Sequence, residues 1–333
     1  AYEIRNCDWS SDVCSSDLMA MAWEMERDQR VVVLGEDVGI NGGVFRATSG
    51  LAERFGENRV IDTPLAEVMI AGMTVGMAAQ GLRPVAEAQF MGFILPMIDH
   101  IMGHAGRMRH RTRGRLSCPM VLRAPFGGGI HAPEHHSEST EALFAHMPGI
   151  RVVIPSSPSR AYGLLLAAIR DPDPVVFLEP KRVYRLNKEE VVDDGEELPM
   201  DVCYVLRDGT DVTLVSWGAM VKETLEAAEQ LATEGVSAEV IDVATVSPLD
   251  MDTIIESVSK TGRCVIIHEA ARRCGVGAEI AAGLADAGIW HLQAPVKRVT
   301  GYDTVMPLFK MEMKYMPGIK RILSAVHDVM AYS

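Results

Sequence analysis

The sequence predicts an α/β protein of two domains, each with a mainly parallel sheet flanked by helices. Short runs rich in Val, Ile and Leu alternate with longer stretches of helical period. One charged stretch over 184–208, containing Lys188-Glu189-Glu190 and Asp193-Asp194-Gly195-Glu196-Glu197, interrupts that alternation. The chain has 333 residues, more than one hydrophobic core usually serves, roughly 250–300.

In chain order, residues 1–18 stand apart. Ser10-Ser11-Asp12 recurs as Ser15-Ser16-Asp17, and the stretch is polar, with neither helical nor strand period. It lacks the apolar core of a signal peptide, so an atypical, non-native or mis-joined leader is expected, followed by an amphipathic helix over 19–28. Strands are expected at 31–34, 85–88, 120–123, 151–154 and 175–179. Helices are expected at 65–80, 95–109, 140–146 and 159–169. The charged stretch reads as a surface connection that holds the domain boundary. This gives a first domain over 19–190, a linker over 191–204 and a second domain over 205–333. In the second, strands are expected at 212–216, 238–243, 264–268 and 296–300. Helices are expected at 220–233, 250–258 and 278–287, and a helical tail over 307–330 should break at Pro317-Gly318.

Composition narrows the function. A net charge of −13 opposes binding to nucleic-acid phosphates or anionic membranes, and no run approaches the ~18 apolar residues that span a bilayer. The six cysteines form no Cys-x-x-Cys pair and give no zinc spacing. An intracellular enzyme with reduced thiols is the plain reading.

Chemistry concentrates at four places. The first follows Asp62-Thr63-Pro64-Leu65-Ala66-Glu67. Pro64 suits a first helical turn and Gly81 a stop. The helix between them is apolar nearly all round and is expected to be buried. Glu67 is either a carboxylate favoured by the helix dipole or a buried acid held for proton chemistry. A capping box does not explain it, because Pro64 occupies the position of the cap.

The second is Gly127-Gly128-Gly129-Ile130-His131-Ala132-Pro133-Glu134-His135-His136-Ser137. It is either a solvated loop or a proton-handling loop whose glycines admit a ligand. At the third, Phe90 and Phe93 after Glu87-Ala88-Gln89 suit a core, or else a platform for a flat ring. The fourth, Ala168-Ile169-Arg170-Asp171-Pro172-Asp173-Pro174, reads as a helix ending in a proline turn. Gly275-Val276-Gly277-Ala278 lacks the spacing of a dinucleotide loop.

Glutamate, four residues, glycine, an apolar residue, two residues and glycine at Glu67–Gly76 resembles the motif of thiamine-diphosphate enzymes around the acid that contacts the aminopyrimidine. Leu34-Gly35-Glu36-Asp37-Val38-Gly39, Gly42-Gly43-Val44-Phe45-Arg46, Gly81-Leu82-Arg83-Pro84-Val85, the triple glycine and His136-Ser137 follow in family order. The ordered set, over roughly 19–333, resembles the beta subunit of the decarboxylase component of 2-oxo acid dehydrogenases, of pyruvate or branched-chain type.

The resemblance implies a transketolase-like pyrimidine-binding domain followed by a transketolase C-terminal-type domain. It implies that Glu67 contacts the aminopyrimidine of thiamine diphosphate and promotes formation of the reactive carbanion. Leu65 (through its backbone), Gln89 and Phe93 would line the pyrimidine, and His136 would assist acyl transfer to lipoamide. His131 and His135 have weaker claims. It also allows a potassium ion near Met120, Ala168, Asp171 and Asp173. The Gly-Asp-Gly and later asparagine that anchor diphosphate through Mg2+ are missing, so an alpha subunit is expected to hold Mg2+ in an assembly of two alpha and two beta chains. A lipoyl-bearing acyltransferase core is expected to dock on the second domain, around 310–320. The cytoplasm, or the mitochondrial matrix in a eukaryote, is the expected location. The alternatives are a single-chain enzyme such as a deoxyxylulose-phosphate synthase, which the missing motif opposes, and a non-catalytic assembly subunit.

Overall fold

The computed structural model describes residues 10–184 and 188–332. Contacts divide it into two compact units. The first takes the chain up to Phe126 and again over His146–Met200, and the second takes Gly127–Ala145 and the chain from Asp201 onward.

In the first unit, six strands run parallel: β1 (Val31–Gly35), β2 (Val60–Asp62), β3 (Arg83–Glu87), β4 (Val121–Phe126), β5 (Arg151–Val153) and β6 (Val175–Pro180). Their spatial order is β5-β6-β4-β3-β1-β2. Every residue of β1, β4 and β6 is buried. That is why these strands read as unbroken apolar runs and not as alternating ones. The first long helices are α1 (Val13–Arg27), α2 (Glu67–Ala79) and α3 (Pro158–Arg170), and α1 packs on α3.

Three expectations for this unit are corrected. Residues 13–18 are not separate from the fold, because they form the first turns of α1. Asp12 caps that helix by accepting the Ser15 N–H, and Val13, Cys14, Ser16 and Asp17 are buried. The polar letters hid the pattern, since Asp17 lies inside beside the Arg123 guanidinium, at 3.5 Å. Residues 1–9 lie outside the described set. The single helix expected over 95–109 is instead a 3-10 turn (Met91–Met97), a short helix (Ile98–Gly103) and further short turns to Arg111. Pro96 removes a donor. In addition, Gly106 lies so close to Pro148 and Ile150 that a Cβ there would meet the Ile150 side chain at 3.0 Å.

The third correction concerns α2, which is only half buried. Ile70, Ala71, Thr74, Val75 and Ala78 face the core, while Leu65 just before the helix is 81% exposed and Val68 49%. The charged segment after β6 is also less free than a surface connection. The Tyr162 hydroxyl donates to Asp193 at 2.8 Å and accepts the Gly195 N–H at 2.8 Å, and Arg170 donates to the Gly195 carbonyl at 3.0 Å.

The sheet of the second unit has five strands: β7 (Tyr204–Arg207), β8 (Val212–Ser216), β9 (Ala238–Asp242), β10 (Cys264–Ala271) and β11 (Lys297–Gly301), in spatial order β11-β10-β8-β9-β7. Only β7 is antiparallel, pairing with β9 at the edge. The later helices are α4 (Met220–Thr233), α5 (Met251–Thr261), α6 (Val276–Ala287), α7 (Phe309–Tyr315) and α8 (Ile319–Met330). The chain breaks between the last two at Pro317-Gly318, as expected. Leu214, Ile241, Ile266, Ile267, Ile280, Leu284 and Ile322 are wholly buried and form this unit's core.

Candidate active-site residues in the two units

In the first unit the residues expected to line a pyrimidine, together with Glu36 and Asp37, all follow the carboxyl ends of parallel strands, where open α/β sheets place ligands. Glu36 and Asp37 follow β1, Leu65 and Glu67 follow β2, and Gln89 and Phe93 follow β3. Glu67 is the first residue of α2, with Ala66 in the cap position and no side-chain cap. Pro64 stands before the helix and not in its first turn. The Glu67 side chain is therefore half-buried at a helix N-terminus, whose free N–H groups and dipole favour a carboxylate.

Sequence reasoning quoted Glu36 only as part of a motif. It is buried, and burial first, then the charges of Glu67 and Asp37, push its carboxyl above the usual range, while an N–H bond from Ala66 opposes this. Two carboxyls thus sit within electrostatic reach, with the more buried one favouring its proton. Gln89 donates from Nε2 to Asp37 at 3.4 Å. Phe93 is half-buried in the Met91–Met97 turn and meets Phe90 edge-on at 5.8 Å between ring centres. Phe90 in turn meets Phe45 at 5.7 Å, and the Lys181 ammonium lies 5.7 Å from the Phe90 ring centre. Phe45, Phe90 and Phe93 are all half-buried, so the set is neither core nor fully exposed.

The potassium candidates are also in the first unit. The Met120 carbonyl accepts the Val175 N–H at 2.9 Å, and Ala168 is buried in α3. Arg83 donates to the Ile169 carbonyl at 2.7 Å and the Asp171 carbonyl at 3.1 Å. The Asp171 carboxylate pairs with Arg151 and that of Asp173 with Arg109. Each carbonyl keeps a second lone pair, so a hard monovalent cation would share these donors with Arg83. Among the described residues no group of three or more His, Cys, Asp or Glu side chains is arranged to hold a metal.

The histidine loop is held within the second unit. The Gly127 N–H donates to the Glu138 carbonyl at 2.9 Å and closes the loop's base. Gly127, Gly129 and His131 have left-handed φ of 80°, 84° and 60°, a conformation that glycine adopts without strain. His135 is exposed. His136 is half-buried in the short turn Glu134–His136, ahead of the buried Ser137, whose hydroxyl donates to the Pro133 carbonyl at 3.1 Å.

The glycines were expected to admit a ligand, but what approaches them here is protein. A Cβ on Gly127 would lie 2.4 Å from a Glu269 carboxylate oxygen, and one on Gly128 would lie 2.4 Å from the Met306 methyl. Nearby, burial first, opposed by a backbone hydrogen bond, and then the charge of Glu269 push the Glu141 carboxyl up to about 8. Trp217 stacks on His268 at 5.0 Å, and burial holds that imidazole neutral, with its pKa lowered to about 3. Gly275 and Gly277 serve this ring, since a Cβ on Gly277 would lie 2.7 Å from His268 Nε2. Cys14, Cys118, Cys203, Cys264 and Cys274 are free thiols, and no described helix is long and apolar enough to cross a membrane.

Comparisons with known proteins agree with this arrangement. Residues 16–187 match the transketolase pyrimidine binding domain, and residues 202–322 match the transketolase C-terminal domain. The pyruvate dehydrogenase E1 component subunit beta of Bacillus subtilis (strain 168) is 49% identical over 94% of this chain and 96% of its own. That of Acholeplasma laidlawii is 49% identical over 92% and 93%, and that of Staphylococcus aureus 45% over 94% and 96%. Among solved structures, a split-gene transketolase described as an inactive beta4 tetramer matches with TM-score 0.77 and 23% identity, over 97% of this chain and 99% of that one. That likeness speaks for the fold. With both domains matched in order and nearly half the residues shared along almost the whole chain, this protein belongs to the beta-subunit family of pyruvate dehydrogenase E1 components, within the thiamine-diphosphate-dependent transketolase-like proteins.

Proposed function

We propose that this chain is the beta half of a 2-oxo acid dehydrogenase decarboxylase, acting on pyruvate or a branched-chain 2-oxo acid with lipoamide as acceptor. One observation carries the reading: Glu67, Gln89 and Phe93 gather beyond the carboxyl ends of one parallel sheet, beside an apolar helix face that the chain leaves open. The relatives' identity as E1 beta subunits supports the same assignment. The limits expected from the sequence, 19–190 for the pyrimidine-binding domain and 205–333 for the C-terminal domain joined by 191–204, are supported by family matches over 16–187 and 202–322, with α1 carrying the first domain back to Val13.

The residues fit one half of a thiamine-diphosphate site. When bound, that cofactor supplies the electron sink for loss of carbon dioxide from a 2-oxo acid. Glu67 would hold a proton between its carboxylate and a ring nitrogen of the aminopyrimidine. Glu36, whose carboxyl is raised by burial and by the charge of Glu67, would lie beside that acid. Phe93 would press on the heterocycle, while Gln89, tied to Asp37, and the Leu65 backbone would fix its edge. His136, on the loop of the second unit, would donate a proton or orient the acyl acceptor.

Mg2+ is proposed to belong to the alpha subunit, since the chain lacks the Gly-Asp-Gly anchor. Potassium at Met120, Ala168, Asp171 and Asp173 is part of the proposal and predicts higher melting in potassium than in sodium salts. The partners are two alpha chains with two beta chains, and an acyltransferase core bearing lipoyl groups. The compartment is the cytoplasm, as proposed for a chain whose curated relatives are bacterial.

The experiment is co-expression with the alpha chain, followed by thiamine-diphosphate binding to each chain alone and to the mixture. Tight binding by the mixture alone supports the shared site. Tight, magnesium-dependent binding by this chain alone refutes it and favours a self-sufficient enzyme.

A further inference from the structure

Successive left-handed residues turn backbone N–H groups towards one side, making a concavity that binds anions. Gly127, Gly129 and His131 build such a concavity, and the second unit fills it with its own carboxylates. The Gly128 N–H donates to Glu269 Oε2 at 3.0 Å. The Gly129 N–H donates to Glu312 Oε1 at 2.7 Å, and the His131 N–H to Glu312 Oε2 at 2.9 Å. His131 Nδ1 lies 3.1 Å from the same Oε2. Glu312 sits on α7 and is 1% exposed, and Glu269 sits in β10 and is 4% exposed. A buried carboxylate taking two backbone N–H groups makes a strong, geometrically restrictive anchor.

We propose that Glu312, seconded by Glu269, is the positioning residue of the histidine loop, fixing the backbone from which His136 works in acyl transfer. The glycine-rich stretch is therefore not a cradle for the cofactor's phosphates, because its N–H groups at 128, 129 and 131 are already engaged. The inference rests on the reading of His136 given above. The loop's left-handed His131 also needs the anchor: a non-glycine residue holds that conformation only where its surroundings impose it, and here its N–H and its ring both meet Glu312.

The test is made on the complex assembled with the alpha subunit, using Glu312→Gln, Glu269→Gln and His136→Ala. Gln keeps the size but turns an amide NH2 towards backbone donors. Three readouts are taken: amide hydrogen exchange over 127–137, decarboxylation with a dye as electron acceptor, and acylation of a free lipoyl domain. Glu312→Gln is expected to speed exchange at 129 and 131 on the order of 10- to 100-fold. It should lower lipoyl acylation by a similar factor and leave dye-coupled decarboxylation within about twofold. Glu269→Gln should show a smaller change of the same kind, centred on 128.

Unchanged exchange overturns the inference, as does faster exchange with unchanged acylation, or an equal fall in both half-reactions. If both glutamine variants fail to assemble, the two acids are plain structural groups and the inference falls. If His136→Ala leaves lipoyl acylation intact, the fault lies in the reading of His136. The anchor itself then stands or falls on the exchange data.

Discussion

Replacing Arg123 by Met should destabilise the first unit in a way that grows with pH. Arg123 is fully buried in β4. Its Nε donates to Glu179 at 2.6 Å and its Nη1 to Glu87 at 3.0 Å, while the Tyr184 hydroxyl donates to the other Glu179 oxygen at 2.5 Å. Removing the guanidinium strands three buried carboxylates, those of Glu179, Glu87 and Asp17, a change that costs about 3–5 kcal/mol. Even with the arginine present, burial pushes the Glu87 carboxyl up to about 7. Without it, Glu87 and Asp17, whose carboxyls burial already raises, would hold their protons more tightly. A carboxyl raised above its unfolded value contributes stability below that value and loses it as pH rises through the folded one. The penalty is therefore largest near pH 8 and smaller near pH 5.5, below the raised value of Glu87. For a domain of this size about 2–4 °C of melting temperature goes with each kcal/mol, so a fall of about 6–20 °C is expected near pH 8. Differential scanning calorimetry of the assembled complex at the two pH values measures it. A shift below about 2 °C near pH 8, or a larger loss at the lower pH, would refute the reasoning.

Four other outcomes are expected. Glu67→Gln should lower dye-coupled decarboxylation by about 10²–10⁴-fold with assembly intact on gel filtration, and retained activity would return the chain to a scaffold role. Met69→Asp puts a charge on the open face of α2 and should block assembly with the alpha subunit while the isolated chain keeps its circular dichroism. Tyr162→Phe removes both bonds to the segment at Asp193 and Gly195. It should cost about 1–2 kcal/mol and speed proteolysis there, read by timed digestion. Glu141→Gln should flatten the stability profile: the Glu141 carboxyl, raised from 4.5 to about 8, contributes stability below the lower value and loses it as pH rises through the upper one. Melting scans across that window would show an unchanged slope if Glu141 were not the group responsible.

Much of the fold was legible because parallel strands buried on both faces write themselves as plain apolar runs. Val212–Ser216 and Met220–Thr233 stand where periodicity put them. The departures have local causes. Residues 12–18 look foreign because Ser16 and Asp17 are polar letters facing inward, and one-dimensional patterning has no means of knowing that an arginine more than a hundred residues later meets one of them. The strands Val60–Asp62 and Tyr204–Arg207 are short or at an edge, with too few residues to show a period. At the site, Glu67, Gln89 and Phe93 were marked by motif and gathered by topology. Glu36 was hidden in Gly35-Glu36-Asp37, where nothing local says that it is buried. Glu269 and Glu312 gave no signal, since their meaning depends on N–H groups 141 to 183 residues earlier in the chain.

Helix α2 is the instructive case, because its sequence is more apolar than the contacts within this chain require. A helix apolar nearly all round belongs in an interior, yet Leu65, Val68 and Met69 lie in the open on the single chain. Hydrophobic pattern records the environment in the working assembly, and folding of one chain fulfils only the part of it that intramolecular contacts supply. Gly72 and Gly76 sharpen the point. A Cβ on Gly72 would meet His100 at 3.4 Å, ordinary contact, while one on Gly76 would meet nothing. Glycine costs about 1 kcal/mol within a helix relative to alanine, and the fold of this chain gives Gly76 no packing reason to be so small. A surface brought up against α2 would supply that reason, and where it covered Val68 and Met69 it would lie within one helical turn of Glu67. The open apolar face and the half-buried acid are thus one feature: the chain builds the acid's side of a site and leaves bare the surface on which the other side would settle.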